Sequence, residues 1–183
     1  LNEHWLRKAA WIAEYTIQHF YNFNTGLFFY TSVDDAPLIA RKTETSDNVI
    51  PSSNSVMMKC LYQLGLILEK PEWLEMARKA CLLLTKHISG YTSFYGNWAA
   101  LADWIMEEPK QVTVCGKDAK SLVQQLLQNY RPDAFIFGAE GPSGLPLLQG
   151  KYQDGKTQAY VCQYKTCSLP LNTVNEIISQ ISH

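Results

Sequence analysis

Residues 52–90 read SSNSVMMKCLYQLGLILEKPEWLEMARKACLLLTKHISG, and their pattern is the strongest structural signal in the chain. Ser52 or Ser53 can cap a helix, because a hydroxyl oxygen accepts a hydrogen bond from an unpaired N–H of the first turn. The buried face of this helix is then marked by apolar residues at helical spacing: Val56, Cys60, Leu61, Leu64 and Leu68. Pro71 suits the first turn of a second helix, which ends at Gly90. The stretch therefore predicts two helices packed as a tight hairpin.

Helical patterns also flank this hairpin. Residues 3–20 carry apolar side chains at helical spacing, and the polar stretch up to Gly26 ends that helix. Residues 94–106 form the fourth predicted helix, and Pro109 closes the series. Residues 1–109 are therefore predicted to be helical hairpins.

The pattern changes after Pro109. Residues 112–115 and 134–137 are short apolar runs typical of strands, and residues 118–130 between them are amphipathic. This order predicts a βαβ unit with parallel strands and a right-handed crossover. We expect an α+β protein in which residues 110–183 form a small α/β unit.

Two further features are predicted in this second unit. Residues 145–148 and 158–163 are expected to pair as strands around a tight turn. Residues 172–181 are expected to form the closing helix, with Asn172 or Thr173 as its cap.

Composition and charge exclude two classes of partner. The 183 residues carry a formal net charge of −1, and 46% of them are hydrophobic against 18% charged. Lysine and arginine form no run, so the sequence lacks the basic footprint of proteins that bind nucleic acid or anionic membranes. The longest apolar run, Ala80–Leu84, is too short to span a bilayer. We expect a cytoplasmic protein with neither nucleic acid nor membrane as a partner.

Residues 41–55 form a polar loop that leads into a helix N-terminus, and two interpretations are open. In the first, Glu44 and Asp47 act as general acid and base on a sugar, while Arg41 or Asn54 orients its hydroxyl groups. In the second, the loop caps the helix and satisfies its own polar groups, since acids placed before a helix start accept hydrogen bonds from free N–H groups. A sugar or another small polar ligand is the partner that the first interpretation implies.

Aromatic residues near the fourth helix extend the first interpretation. Tyr95 and Trp98 could stack on a sugar ring, although aromatics at helical spacing are also typical of a core. The site hypothesis predicts that Glu44, Asp47 and Asn54 face one concave surface together with Trp98.

Cys162 and Cys167 are the candidates for metal or redox chemistry. Zinc normally needs four ligands, and the sequence has no second close cysteine pair and no histidine pair at ligand spacing. The spacing also differs from the CxxC of thioredoxin-type turns. We expect two ordinary, partly buried thiols, and we expect no metal and no cofactor. The turn at Gly116 lacks both the GxGxxG and the GxxxxGK[ST] patterns, which favours a plain β–α turn over a nucleotide site.

Two motifs carry a resemblance to a known family. One combines residues 26–29 with residues 41–44 and 51–56, and the other combines residues 159–162 with Thr166, Cys167 and Pro170. In these motifs and in their order the chain resembles the spermatogenesis-associated, thioredoxin-domain-containing proteins and their bacterial YyaL-type relatives. The resemblance covers nearly the whole chain.

The resemblance implies a fold and a position in a larger protein. It implies an N-terminal thioredoxin-like domain followed by a large α/α toroid similar to six-hairpin glycosidases, with this chain as roughly the last quarter. The lack of an initiator methionine and the helix that begins at once also suggest a C-terminal fragment. Two functions are consistent with this: carbohydrate binding or turnover in the toroid cavity, and a noncatalytic interaction or chaperone-like module serving a redox domain. Incomplete hairpins would leave apolar helix faces exposed or covered by a second copy of the chain, which gives a homo-oligomer.

Overall fold

A computed structural model describes residues 2–36 and 40–182; Leu1, residues 37–39 and His183, which the predictions above include, lie outside it. The described residues combine helices and strands, which confirms the α+β class. They divide into two units: one is Glu3–Met106, and the other begins at Glu107 and includes Asn2.

The first unit is mainly helical. Its elements are α1 (Glu3–Phe20), β1 (Tyr21–Asn22), β2 (Leu27–Phe28), α2 (Ser53–Leu68), α3 (Pro71–Gly90), a 3₁₀ turn (Thr92–Phe94) and α4 (Gly96–Met106). The predicted cap is confirmed at Ser52, whose side chain accepts a hydrogen bond from the N–H of Ser55. The antiparallel β1–β2 pair follows α1 directly.

The predicted hairpin of α2 and α3 is confirmed, and it supplies the core of this unit. Glu69 ends α2 in a left-handed conformation with φ of 53°, and Pro71 begins α3 two residues later. Met58, Leu61 and Tyr62 of α2 are fully buried, as are side chains of α3 and α4. Burial of this apolar surface is what holds the short helices together, because helices of this length are marginal in isolation.

The second unit is built on a four-stranded sheet. Its elements are β3 (Lys110–Cys115), α5 (Ala119–Leu126), β4 (Ala134–Ala139), a 3₁₀ turn (Pro146–Leu148), β5 (Gln158–Gln163), β6 (Thr166–Cys167) and α6 (Val174–Ser182). The strand order is β4-β3-β5-β6. Strands β3 and β4 are parallel, as the βαβ prediction requires, while β5 is antiparallel to β3 and to β6.

The predicted pairing of residues 145–148 with residues 158–163 is wrong. Pro146 begins a 3₁₀ turn, because proline fixes φ and has no N–H to donate to a strand ladder. Strand β5 pairs instead with β3 on one side and with β6 on the other. The tight turn joins β5 to β6 through Tyr164 and Lys165, which have positive φ values of 50° and 63°.

Helix α6 closes the second unit. Thr173 fulfils the capping prediction: its hydroxyl accepts a hydrogen bond from the N–H of Glu176, whose carboxylate accepts from the N–H groups of Asn172 and Thr173. Ile177 and Ile181 then pack into the cluster of buried side chains on one face of the sheet. Among the described residues, no helix is both long and apolar enough to cross a membrane.

Candidate functional site

Asp47 lies at the centre of the polar loop and is buried, with 7% of its surface exposed. Its Oδ1 accepts hydrogen bonds from the N–H of Ser52 at 2.9 Å and from the hydroxyl of Ser55 at 3.0 Å. Its Oδ2 accepts from the N–H of Asn97 at 2.9 Å. These donors belong to the starts of α2 and α4, so one carboxylate satisfies the free N–H groups of two helices.

The ionised form of Asp47 is the one that these contacts favour. Burial by itself raises the pKa of the carboxyl group, but hydrogen bonds from Ser52, Asn97 and Ser55 outweigh it and hold the pKa below its usual value. A carboxyl group with a lowered pKa is ionised near neutral pH, and both oxygens of Asp47 are already occupied by donors from the protein. The geometry therefore favours the capping interpretation over an acid–base role for Asp47.

Asn54 is fully buried and fastens the same loop to β2. Its Oδ1 accepts from the N–H of Phe28 at 2.7 Å, and its Nδ2 donates to the carbonyl oxygens of Phe28 at 2.9 Å and Glu44 at 2.8 Å. The amide thus mimics a strand partner for Phe28. Its donors and acceptor are directed at the protein backbone.

Trp98, on α4, is hydrogen-bonded to the polar loop. The side chain is fully buried, and its Nε1 donates to the carbonyl oxygen of Thr45 at 2.7 Å. Tyr95, one turn earlier, is 8% exposed and lies with its ring centroid 5.6 Å from that of His87. The core alternative for these aromatics therefore fits their positions.

The structure gathers most of the predicted site around residues 44–55, but not on an open surface. The concave surface shared by Glu44, Asp47, Asn54 and Trp98 stays a prediction that the contacts do not favour, because the last three are buried with their polar atoms hydrogen-bonded inside the protein while the Glu44 side chain is exposed. The same polar residue types serve capping and catalysis, and their contacts separate the two. The catalytic and ligand-binding roles stay predictions.

Arg41 lies at a different place, beside the end of α1. Its guanidinium donates to the carbonyl oxygens of Thr31 and His19 and lies 4.1 Å from the centre of the Phe29 ring. His19 in turn contacts Asp34, with 2.5 Å between Nδ1 and Oδ2. This histidine–aspartate pair was not recognisable in the sequence, since nothing in the spacing of the two residues indicates that the loop folds back on α1.

An apolar groove beside α3 has a volume of about 870 Å³. The residues that line it come from the end of α1, the β1–β2 turn and α3; the apolar ones are Ile17, Tyr21, Phe23, Trp73, Met76, Leu82 and Leu83. Phe23 and Leu82 are exposed over 78% and 74% of their surface. Glu72, Glu75 and Lys79 give the groove a charged rim.

Helix α1 carries a separate exposed apolar surface, whose side chains do not line the groove. Leu6 and Ala13 are buried, yet the opposite side of the helix carries large exposed side chains: Trp5, Trp11, Ile12 and Tyr15. Their exposed fractions run from 68% for Trp5 to 45% for Tyr15. A helix that is apolar on both sides is typical of a helix placed between two layers.

Cys162 and Cys167 form a disulfide, which corrects the expectation of two separate thiols. The two cysteines are direct partners in the antiparallel register of β5 and β6, so their side chains lie on the same face. That register depends on the turn at Tyr164 and Lys165, which contains no glycine and was not recognisable in the sequence. Within residues 2–36 and 40–182, no three His, Cys, Asp or Glu side chains cluster in a way that could hold a metal ion.

Comparison with known proteins gives one distant similarity. No family profile matches the chain, and no solved structure matches it. The chain is 26% identical over 187 residues to spermatogenesis-associated protein 20 of Homo sapiens, an alignment that covers 94% of this chain and 24% of that protein. The chain thus spans about a quarter of the length of the curated relative it matches. The chain is therefore distantly similar to one part of spermatogenesis-associated protein 20.

Proposed function

We propose that this chain is a noncatalytic helical packing module, in which the exposed side of α1 binds an amphipathic helix from the remainder of a longer protein and the groove beside α3 is a second, separate surface of the same kind. The observation that carries the proposal is that α1 has apolar side chains on two sides. Leu6 and Ala13 are buried on one side, and Trp5, Trp11 and Ile12 are exposed on the other. Exposed apolar surface of this extent on a soluble unit marks an interaction site.

The shape of the groove suits such a partner. An amphipathic helix binds in an apolar groove through side chains spaced three and four residues apart, and the rim of such a contact is polar and stays accessible to solvent. Here Trp73 and Met76 form the floor, while Glu75 and Lys79 lie 3.6 Å apart at the rim. The relative that the chain matches is about four times as long, so further chain is available in such a protein to supply the helix. A partial α/α toroid, as the family resemblance implies, would present this kind of surface to its next hairpin.

Carbohydrate binding or turnover in a toroid cavity is the second proposal, and the geometry favours it less. Glycosidases need two carboxyl groups that face the substrate. Asp47 is buried with hydrogen bonds at both oxygens, and Asn54 is committed to backbone atoms. Glu44 alone among these three carries an exposed side chain.

The packing proposal is tested by comparing the chain with the full-length protein. We expect hydroxyl-radical footprinting to show Trp11 and Tyr15 oxidised at least about fivefold more slowly in the full-length protein than in the chain alone, because a covering helix removes them from water. Tyr130, exposed over 89% of its surface in the other unit, is the internal reference.

A variant pair separates packing from folding. Ile12→Glu is expected to lower the melting temperature of the full-length protein by several degrees and to leave the isolated chain unchanged, since Ile12 is 54% exposed there. Val49→Glu is the matched control, because Val49 is 96% exposed in the same unit. Equal oxidation rates of Trp11 in the full-length protein and in the isolated chain would contradict the proposal. A concentration-dependent dimer of the isolated chain in which Tyr15 is protected would instead assign the surface to a second copy of the chain.

A further inference from the structure

The disulfide between Cys162 and Cys167 is asymmetric in its exposure. Cys162 lies on β5 with 4% of its surface exposed, whereas Cys167 lies on the edge strand β6 and is exposed. A shallow pocket of about 390 Å³ is lined by both cysteines together with Lys110, Tyr164 and Gln180. By the exposure of the two residues, an incoming thiolate therefore reaches Cys167 more readily than Cys162.

A lysine lies against the buried sulfur. Lys151 Nζ is 3.0 Å from Cys162 Sγ and 3.2 Å from the hydroxyl oxygen of Thr113, which is fully buried. An ammonium group at this distance stabilises a thiolate by charge and by hydrogen bonding, and a stabilised thiolate is a better leaving group in disulfide exchange.

We propose that Cys162–Cys167 is a thiol–disulfide exchange site, in which a thiol reductant attacks Cys167 and Cys162 leaves as a thiolate held by Lys151. In the first step the reductant thiolate forms a bond to Cys167 Sγ while the bond between Cys167 and Cys162 breaks, and the electron pair goes to Cys162 Sγ. With a dithiol, the second thiolate then attacks the reductant's own sulfur and releases Cys167 as a thiolate. The dithiol is oxidised to a disulfide, and Cys162 and Cys167 are reduced.

The alternative is a structural crosslink that fastens the two-residue edge strand β6 to the sheet. Such a crosslink also joins paired strands, but it requires neither an exposed sulfur nor an ammonium group on the buried one. The direction of attack and the contribution of Lys151 therefore distinguish the two roles.

The first experiment uses the oxidised chain without substitutions. Glutathione, a monothiol, is added near pH 8, the mixture is quenched with acid, and peptide mapping locates the glutathione adduct. We expect the adduct on Cys167 at least about tenfold more often than on Cys162, while dithiothreitol, a dithiol, carries the reduction to completion in the folded chain. An adduct shared equally between the two cysteines, or a disulfide that dithiothreitol reduces only after unfolding in urea, would overturn the proposal.

The second experiment measures the part played by Lys151. Lys151→Met is expected to slow reduction by dithiothreitol about tenfold, and Lys151→Arg is expected to restore most of the rate because the positive charge returns. Lys120→Met, at an exposed position on α5, removes one lysine charge elsewhere in the same unit and is expected to leave the rate unchanged. A rate for Lys151→Met equal to that of the Lys120→Met control would show that the lysine has no role in exchange.

Discussion

Replacing Asp47 with asparagine tests whether the polar loop is a structural element. The carboxylate accepts two backbone hydrogen bonds, from Ser52 and Asn97, and a third from the hydroxyl of Ser55. Asparagine has the same shape but keeps only one acceptor oxygen. Its NH₂ group replaces the other oxygen and is directed at an N–H donor which that oxygen had bound. One charged hydrogen bond is lost, and one buried N–H is left without a partner. Each of these effects costs about 1–3 kcal/mol, so we expect Asp47→Asn to lower the free energy of unfolding by about 3 kcal/mol.

Tryptophan fluorescence during urea unfolding is the appropriate assay. All five tryptophans of the chain lie within Glu3–Met106, so their emission reports on the helical unit alone. Glu44→Gln is the matched control, because Glu44 belongs to the same loop and its side chain is exposed. We expect this control to change the free energy of unfolding by less than about 0.5 kcal/mol.

The pH dependence gives an independent check on the same residue. Burial raises the pKa of Asp47, but the three hydrogen bonds outweigh it and the pKa is lowered in the folded state. A lowered folded-state pKa means that the stabilisation is complete above the unfolded value of about 3.9 and disappears as the pH falls through the folded value. The difference in stability between wild type and Asp47→Asn should therefore be largest at neutral pH and shrink below about pH 4. A difference below about 0.5 kcal/mol at pH 7, or one that stays constant down to pH 3, would refute the reasoning.

Three further predictions concern other parts of the molecule. Gly116→Ala should destabilise the second unit by about 3 kcal/mol or more, because the glycine has a φ of +130° and a Cβ there would lie 2.1 Å from the carbonyl oxygen of Lys156. Hydrogen exchange of the β3 amides measures this loss, and Gly144→Ala is the control because its Cβ meets open space. Trp98→Phe should lower the free energy of unfolding of the helical unit in urea by about 2–3 kcal/mol, because it leaves a cavity and removes the hydrogen bond to Thr45. Trp5→Phe, at a 68% exposed position, should be neutral, and equal effects of the two variants would contradict the buried role of Trp98. Burial raises the pKa of the Cys81 thiol to about 12, so only about 10⁻⁴ of it is thiolate at pH 8. Mass spectrometry should therefore find iodoacetamide on the exposed Cys60 well before it appears on Cys81, and similar labelling of both cysteines in the folded chain would disprove this.

Local signals in the sequence were sufficient for the helices. The cap at Ser52, the proline at position 71 and the apolar spacing between them depend on neighbouring residues only, and the structure has the predicted hairpin. The parallel β3–β4 pair also followed from the order strand, helix, strand. Strand β5 was found, but its partners were not, because pairing with β3 joins residues far apart in the sequence.

For the candidate site, prediction from the sequence was limited in a different way. Asp47 and Asn54 are residue types that caps and active sites share, so their identity could not decide between the two roles. The directions of their oxygen and nitrogen atoms favour the capping role. The disulfide was missed for a related reason: Cys162 and Cys167 become partners only through the register that the turn at Tyr164 imposes.

The position of Asp47 also affects the local motions of the helical unit. Because its two oxygens are bound to the first turns of different helices, opening the start of α2 leaves the carboxylate with only its contact to Asn97, and opening the start of α4 has the converse effect. The two helix starts should therefore fluctuate together, with amide exchange at Ser55 and Asn97 responding in parallel to mild denaturant. A single carboxylate in a loop would then set the size of the smallest cooperative opening unit in this half of the chain.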